Sequence, residues 1–301
     1  KAVAGWRDYL RRFPGDAGSE KRTLTFDKSP NYVVNPLVPQ VLRTLAPSLK
    51  LLVMLRNPTR RAYSHFQHDC RNGRLFENDR NKKLFRQSDV RSGDDKNLRR
   101  LPFPCQPRDF HRIVDSDLSS ARQQFGDDDD EWLCRWAFHG GVGDSGFVPR
   151  GLYACQLRRW LEVFPASHLL ALVFEDFVSS RAATLAAVAR VERFLHVPPF
   201  DYDRSWKVTA VERLYAALPS RGSAYDPILP DTASRLDALY CRPNQHLQAL
   251  LAISPPWPCV AANISSSNSS SLGRGFVGSG AVVARRRRRR RLRRRRIRLD
   301  A

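Results

Sequence analysis

Four polar side chains between residues 56 and 68 have the types and the spacing of an anion-binding site. Arg56 directly follows the apolar run Leu51 to Leu55, which predicts a buried strand of a parallel sheet. Arg60, Ser64 and His68 then follow four residues apart, so on a helix they share one face. A guanidinium, a hydroxyl and an imidazole along one groove favour a phosphate or a sulfate as ligand.

The two residues that join this strand to this helix strengthen the prediction. Asn57 is a favourable N-cap, and Pro58 suits the first helical position, where an N–H would have no helical partner. The N-terminus of a helix at the end of a buried strand also offers free N–H groups to an anion. The alternative is an ordinary arginine-rich, solvated helix. His65 competes with His68, but it lies about 100° around the helix from Ser64.

A second pair of charged residues, Asp27 and Lys28, follows the β-rich stretch 23–26. Open α/β sheets gather their functional groups at the carboxyl ends of strands, which is where this stretch places a carboxylate and an ammonium. Ser29 and Pro30 then predict a turn. A plain surface turn is the alternative interpretation of an isolated Asp-Lys pair.

The remaining apolar pattern predicts the elements that position these residues. A second buried strand is predicted over 168–174, and helices are predicted over 35–46, 110–125, 150–165, 182–195 and 230–253. Strands separated by helices indicate an α/β fold with a mainly parallel central sheet and helices on both faces. A chain of 301 residues with 42% hydrophobic content can bury such a core.

The formal net charge of +21 is concentrated at one end of the chain, where 12 arginines lie between Arg285 and Arg298. From residue 254 onward the sequence is rich in Pro, Ser, Gly and then Arg. This composition predicts a domain over 1–253 and a disordered basic tail over 254–301. The arginine run suits RNA, heparin-like polyanions or a membrane surface, although it carries no aromatic residues arranged for base stacking. The moderately basic body suits an anionic nucleotide.

The six cysteines permit disulfides in an oxidising compartment, with a connectivity that the sequence leaves open. They form no CxxC pair and have no zinc-type spacing with histidine, so we expect no metal. The sequence has no apolar run of about 18 residues, and its first residues lack the apolar core of a signal peptide. Asn263 and Asn268 each begin an N-glycosylation sequon.

Three motifs resemble those of sulfotransferases that use 3′-phosphoadenosine 5′-phosphosulfate (PAPS), especially the Golgi carbohydrate (heparan-type) branch. The family's 3′-phosphate-binding motif is similar to Leu-Arg-Asn-Pro-Thr-Arg-Arg-Ala-Tyr-Ser at 55–64. Its Glu-Lys-(Ser/Thr)-Pro-x-Tyr motif resembles 27–32, at the expected distance upstream. The second half of the family's domain resembles the Arg-Gly-Leu-Tyr segment at 150–153, the strand that ends in Glu175-Asp176 and the helix that ends near 195.

The resemblance implies that Arg56 and Ser64 grip the 3′-phosphate of PAPS. Arg221 and Gly222 match a loop that covers the donor in relatives. Arg150 is a candidate contact of the donor or the acceptor, and we assign it to substrate binding.

The resemblance also implies the catalytic residues. Asp27 stands where heparan-type enzymes carry the glutamate that deprotonates the acceptor, and it is one methylene shorter. Lys28 and His68 are expected to stabilise the transferring group, because His68 matches a histidine of the N-sulfotransferase members. The implied reaction moves a sulfonate from PAPS to a hydroxyl or amine of a glycosaminoglycan-like carbohydrate, without a metal.

The family further implies a P-loop-NTPase-like fold and a place in the Golgi lumen, as a type II membrane protein anchored upstream of residue 1. Its Lys-x-Gly-Thr loop for the 5′-phosphosulfate does not occur in this sequence, so we expect an N-terminally truncated domain. A P-loop kinase would need GxxxxGK(S/T), which is absent. A non-enzymatic polyanion- or RNA-binding protein that acts through the tail and an inactive sulfotransferase-like fragment remain as alternatives.

Overall fold

The computed structural model describes residues 24–76, 81, 105–126, 131–139, 146–201 and 225–259. Within these ranges the chain alternates helices and two strands, with short 3-10 turns at Arg74–Phe76, Pro149–Gly151 and Ala166–His168. The elements in order are α1 Val38–Leu45, β1 Leu51–Leu55, α2 Pro58–Arg71, α3 Pro107–Phe125, α4 Trp132–His139, α5 Tyr153–Leu161, β2 Leu169–Val173, α6 Phe174–Phe177, α7 Arg181–Leu195 and α8 Pro230–Leu251.

The two strands pair in parallel, with Leu51 opposite Leu169 and Leu55 opposite Val173. Both strands are continuous apolar runs, the pattern expected of parallel strands with cover on both faces. A parallel pair needs a long crossover, and here α2 to α5 supply it. The predicted α/β class with a parallel sheet is therefore confirmed.

Helices lie on both faces of the sheet, but they cover one face more completely than the other. Leu55, Ala171 and Val173 share one face and pack with residues of α5 and α8 in a buried apolar cluster. On the other face α7 approaches β2, where Leu172 is buried. Leu52 and Met54, on the same face of β1, remain 48% and 46% exposed. The expectation of a strand covered on both faces thus holds for β2 more than for β1 in the described part of the chain.

A second apolar cluster surrounds α2, α3 and α4. Its largest fully buried side chains are Phe66, Phe110, Trp136, Phe147 and Tyr240. Tyr240 of α8 donates a hydrogen bond to the carbonyl of Val148 at 2.7 Å. A Cβ atom at Gly151 would lie 2.8 Å from the Tyr240 ring, so the absence of a side chain at 151 lets this segment approach α8.

Three disulfides join the elements: Cys70–Cys105, Cys134–Cys155 and Cys241–Cys259. The first links the end of α2 to the start of α3, and the second links α4 to α5. The third ties the segment after α8 back to that helix. They supply the pairing that the sequence left open, and they agree with the expectation of disulfide bonds.

Packing continues past the predicted boundary at residue 253. Trp257 is only 7% exposed, and Cys259 is held by its disulfide. Trp257 and Cys259, at the start of the predicted tail over 254–301, thus have partners that are distant in the sequence. The chain divides into two contact units, Lys1–Ala262 and Asn263–Ala301, and the second lies outside the described residues.

Candidate functional site

The junction between β1 and α2 is fixed by the side chain of Asn57. Its Oδ1 accepts a hydrogen bond from the backbone N–H of Arg60 at 2.9 Å, as a helix N-cap does. Such a cap is worth about 1 kcal/mol of helix stability. Pro58 occupies the first turn of the helix, as the sequence predicts.

The backbone N–H of Asn57 donates to Glu175 Oε1 at 2.9 Å. Glu175 Oε2 accepts from the indole N–H of Trp257 at 2.9 Å, so both carboxylate oxygens are used. The backbone N–H groups of Asn57 and Arg60 therefore both have acceptors, and the Asn57 cap is the one that the sequence predicts. A carboxylate at this helix N-terminus also interacts favourably with the helix dipole.

Arg56 lies at this junction, and its side chain is half-buried. Its guanidinium lies over the ring of Phe174, 5.1 Å from the centroid, and its carbonyl accepts a hydrogen bond from Tyr153 at 3.0 Å. The Arg56 Nε atom is buried and has no hydrogen-bond partner among the described residues. A buried donor without an acceptor costs about 1–3 kcal/mol, so an anionic ligand would recover free energy by binding it. Ser64 is half-buried further along α2.

Asp27 and Lys28 are both exposed. They lie just before a turn that contains Asn31 and Tyr32. The hydroxyl of Tyr32 donates a hydrogen bond to Asp27 Oδ2. Asn31 Oδ1 accepts a hydrogen bond from Arg150 at 2.9 Å. Through Arg150, the turn that carries Asp27 is therefore connected to the segment that precedes α5.

The two histidines of α2 have different surroundings. His68 has a side chain that is 60% exposed, and its Nδ1 lies 3.1 Å from Asp69 Oδ1. His65 is mostly buried, with Nε2 3.3 Å from Asp69 Oδ2 and its ring edge-on to Phe147 at 4.8 Å. Its Nδ1 is buried without a hydrogen-bond partner in the described ranges.

Electrostatics connect His65 to two arginines. Burial, and then the charge of Arg61, lower the pKa of His65 to about 4, against the opposing effect of Asp69 and with a smaller contribution from Arg150. Burial, and then Arg61, also lower the pKa of Arg150. His65 is therefore neutral at neutral pH, and two guanidinium groups lie within electrostatic reach of it and of each other.

The structure thus places six of the eight predicted site residues: Asp27, Lys28, Arg56, Ser64, His68 and Arg150. It links the turn of Asp27 to Arg150, whereas His68 contacts Asp69. Arg221 and Gly222 lie outside the described residues. Within those residues, no group of three or more His, Cys, Asp or Glu side chains could hold a metal ion. None of the described helices is long and apolar enough to cross a membrane.

Sequence reasoning did not single out Glu175 or Trp257 at the junction, or Asn31 beside Arg150. The Glu-Asp pair follows β2, so Glu175 is a polar residue at the carboxyl end of a strand. This position indicates a candidate for the site. Trp257 lies 82 residues from its partner Glu175, and Asn31 lies 119 residues from Arg150. No local pattern predicts such contacts.

The sequence is similar to those of known proteins. The sequence matches the sulfotransferase domain family over residues 15–213. It is 42% identical over 252 residues to the bifunctional heparan sulfate N-deacetylase/N-sulfotransferase 1 of Caenorhabditis elegans, covering 81% of this chain and 23% of that protein. It is 26% identical over 221 residues to the mouse heparan sulfate glucosamine 3-O-sulfotransferase 6, covering 72% of this chain and 49% of that protein.

The chain spans about a quarter of the length of the first relative and about half of the second. Among solved structures, a sulfotransferase from Alicyclobacillus acidocaldarius aligns with a TM-score of 0.48 and 20% identity, covering 82% of this chain and 71% of that one. The family match includes the strand, the capped helix and the upstream turn described above. Because it extends over more than half of the sequence, the chain belongs to the sulfotransferase domain family.

Proposed function

We propose that this chain transfers a sulfonate group from PAPS to a hydroxyl or amine of a glycosaminoglycan-like carbohydrate. The observation that carries the proposal is Arg56, a half-buried cation with an unpartnered Nε at the end of β1, in a chain of the sulfotransferase domain family. The names of the relatives specify heparan sulfate, which supports a glycosaminoglycan as the acceptor class.

In this proposal Arg56 and Ser64 bind the 3′-phosphate of the donor. Since Glu175 and the Asn57 side chain already use two backbone N–H groups of the junction, the side chains of Arg56 and Ser64 do the binding. Arg221 and Gly222 cover the donor. A guanidinium suits this role because it forms charge-assisted hydrogen bonds with phosphate.

The proposed chemistry is an in-line displacement at sulfur. The acceptor oxygen or nitrogen forms a bond to sulfur as the bond from sulfur to the 5′-phosphate oxygen breaks, and adenosine 3′,5′-bisphosphate leaves with the electron pair. Asp27 takes the acceptor proton, and Lys28 and His68 stabilise the negative charge on the transferring and leaving groups. Arg150 contacts the acceptor. The mechanism uses no metal, and the protein contributes mainly alignment and electrostatics.

A secretory location follows from the same proposal. Three disulfides are typical of an oxidising compartment. We assign the protein to the Golgi lumen, as a type II membrane protein.

The test is calorimetric titration of adenosine 3′,5′-bisphosphate onto the chain and two variants. Arg56→Ala should raise the Kd about 10- to 100-fold, because a hydrogen bond to a charged group contributes roughly 1.5–3 kcal/mol. Arg158→Ala, which removes an equal charge from an exposed position of α5, should leave the Kd nearly unchanged. Absence of binding by the unaltered chain, or an equal loss in both variants, would refute the proposed donor site.

A further inference from the structure

The ring of Phe174 lies against the guanidinium of Arg56, with 5.1 Å between the arginine Cζ atom and the ring centroid. The strand register produces this contact. Leu55 pairs with Val173 at the carboxyl ends of β1 and β2, and Arg56 and Phe174 directly follow them. Because adjacent strands lie about 4.8 Å apart, residues that directly follow a paired position begin side by side. The fold thus fixes the place of this ring beside this cation.

The peptide group between Arg56 and Asn57 is held by two other residues. Tyr153 donates a hydrogen bond to the Arg56 carbonyl at 3.0 Å, and burial raises the pKa of Tyr153, so its hydroxyl stays protonated and remains a donor. Glu175, the residue after Phe174, accepts from the backbone N–H of Asn57. Since this peptide group is fixed at both its carbonyl and its N–H, only the orientation of the Arg56 side chain remains to be set.

The contact with Phe174 sets this orientation without using the Nε donor of Arg56. The face of an aromatic ring carries partial negative charge and attracts a guanidinium within about 6 Å. The ring offers no oxygen that could accept a hydrogen bond, and the buried Nε has no hydrogen-bond partner among the described residues. The cation is therefore held in place while this N–H group remains available to a ligand.

A ring suits an anion-binding arginine better than a carboxylate would. A carboxylate in the place of Phe174 would bond the guanidinium and offset its charge, so an incoming phosphate would have to displace it. The ring holds the cation and leaves its charge intact. A side chain that is already held loses less conformational freedom when the ligand arrives, which favours binding.

We infer that Phe174 is a positioning residue for the donor: its ring holds the Arg56 guanidinium where the 3′-phosphate binds, and so favours nucleotides that carry this phosphate. The inference rests on the proposed function and deepens it, because Phe174 acts through Arg56 and does not itself touch the donor. Removal of the ring should therefore weaken the binding of nucleotides that have a 3′-phosphate and spare those that lack it.

The test measures the Kd of the full chain for adenosine 3′,5′-bisphosphate and for adenosine 5′-monophosphate, which lacks the 3′-phosphate, by calorimetry. Phe174→Leu keeps an apolar side chain and removes the ring. It should raise the bisphosphate Kd about threefold to tenfold, the range of a cation–π contact, and leave the monophosphate Kd unchanged. Phe174→Tyr keeps the ring and should bind both nucleotides as the unaltered chain does.

Fluorinated phenylalanines at position 174 separate the charge of the ring from its shape. Each fluorine withdraws electron density from the ring face and adds little volume, so the packing of the side chain is nearly kept. The bisphosphate Kd should rise with each added fluorine, whereas a packing role alone would give no such trend. In a chain that also carries Arg56→Ala, fluorination should have no effect, because the partner of the ring is absent.

Phe177→Leu is the matched control, because it makes the same change in α6 at a residue that lines a cavity beside α7. It should leave both Kd values unchanged. Equal losses of bisphosphate affinity in Phe174→Leu and Phe177→Leu would overturn the inference, as would a bisphosphate Kd that does not respond to fluorination. An equal loss of monophosphate affinity in Phe174→Leu would overturn it too, since the ring would then contact the nucleoside.

Failure of the proposed function gives a different result. If the unaltered chain does not bind the bisphosphate, the proposed donor site is refuted and the inference is overturned with it. If the unaltered chain binds and Arg56→Ala weakens binding, but Phe174→Leu and the fluorinated chains bind normally, the donor site is supported and only the role of Phe174 is overturned.

Discussion

Asp27 has a partner from its own turn, because the Tyr32 hydroxyl donates to its carboxylate. The orientation of the carboxylate is therefore set before an acceptor arrives. A general base must come within about 2.6–3.2 Å of the proton it removes, and aspartate reaches less far than glutamate. The hydrogen bond from Tyr32 holds the shorter side chain of Asp27 in one orientation.

Asp27→Asn should lower turnover by about 10²-fold or more and leave the Kd for adenosine 3′,5′-bisphosphate unchanged, because a general base typically contributes 10²- to 10⁴-fold. Transfer of labelled sulfonate from PAPS to an acidic polysaccharide measures the first effect, and calorimetry measures the second. Tyr32→Phe keeps the carboxylate and should cost much less turnover. Loss of donor binding in Asp27→Asn would contradict the role of base.

His65 should make the protein less stable as the pH falls from 6.5 to 4. Its pKa in the folded chain is about 4, below the ordinary value of 6.5, so in this range the unfolded chain binds the proton and the folded chain does not. The free energy of unfolding should fall by up to about 1.4 kcal/mol per pH unit from this residue. Urea unfolding at pH 7, 6 and 5 measures the slope.

His65→Gln removes the titrating group and should flatten this slope. Identical slopes in the unaltered chain and in His65→Gln would show that His65 protonates as easily in the folded chain as in the unfolded one.

At the scale of elements, Glu175 connects three parts of the chain: α6, the N-terminus of α2 and the segment that follows α8. Its two oxygens accept from two donors, the backbone N–H of Asn57 and the indole N–H of Trp257. Glutamine has one oxygen and one NH2 group, so it can satisfy only one of these donors. The other donor would face an N–H group.

Glu175→Gln should therefore lower the free energy of unfolding by about 1–3 kcal/mol, the usual cost of leaving a buried donor without an acceptor. Denaturant unfolding at neutral pH is the measurement. Asp176→Asn makes the same chemical change at the next, exposed residue and should change stability by less than about 0.5 kcal/mol. Equal effects of the two substitutions would mean that the carboxylate of Glu175 does not hold this junction.

The sequence predicts well those features that depend on neighbours along the chain. The strand at 51–55, the Asn57 cap and the turn after Asp27 each arise from a few adjacent residues, and the structure contains all three. The contact of Arg150 with Asn31 and the contacts of Glu175 join residues far apart in the chain, and only the packed fold brings them together. For the same reason composition does not predict the burial of Trp257, which partners distant in the sequence provide.

At the scale of the whole molecule, the Cys241–Cys259 disulfide helps to hold the segment of Trp257 against the rest of the fold. It closes a loop of about 18 residues, for which loop entropy predicts roughly 3 kcal/mol of stabilisation. Without it, the segment after α8 is held by packing and by the hydrogen bond to Glu175. The disulfide thus supports the junction next to Arg56 from a distance.

The double variant Cys241→Ser with Cys259→Ser should lose about 2–4 kcal/mol of stability and bind adenosine 3′,5′-bisphosphate more weakly. Unfolding in denaturant and calorimetry provide the two measurements. The double variant Cys70→Ser with Cys105→Ser is the control: it should lose stability too, but with less effect on the bisphosphate Kd. Comparable losses of affinity in both would indicate general destabilisation.

The Cys70–Cys105 disulfide also has a practical consequence. It holds two positions 35 residues apart in sequence with their Cα atoms at 5.8 Å. A protease that cuts once between them leaves two pieces that are still covalently joined. Such a nicked chain should migrate as one band in electrophoresis without a thiol reductant and as two bands with it. Purity judged on a non-reducing gel would therefore miss this damage, while the elements on either side of the cut remain held together.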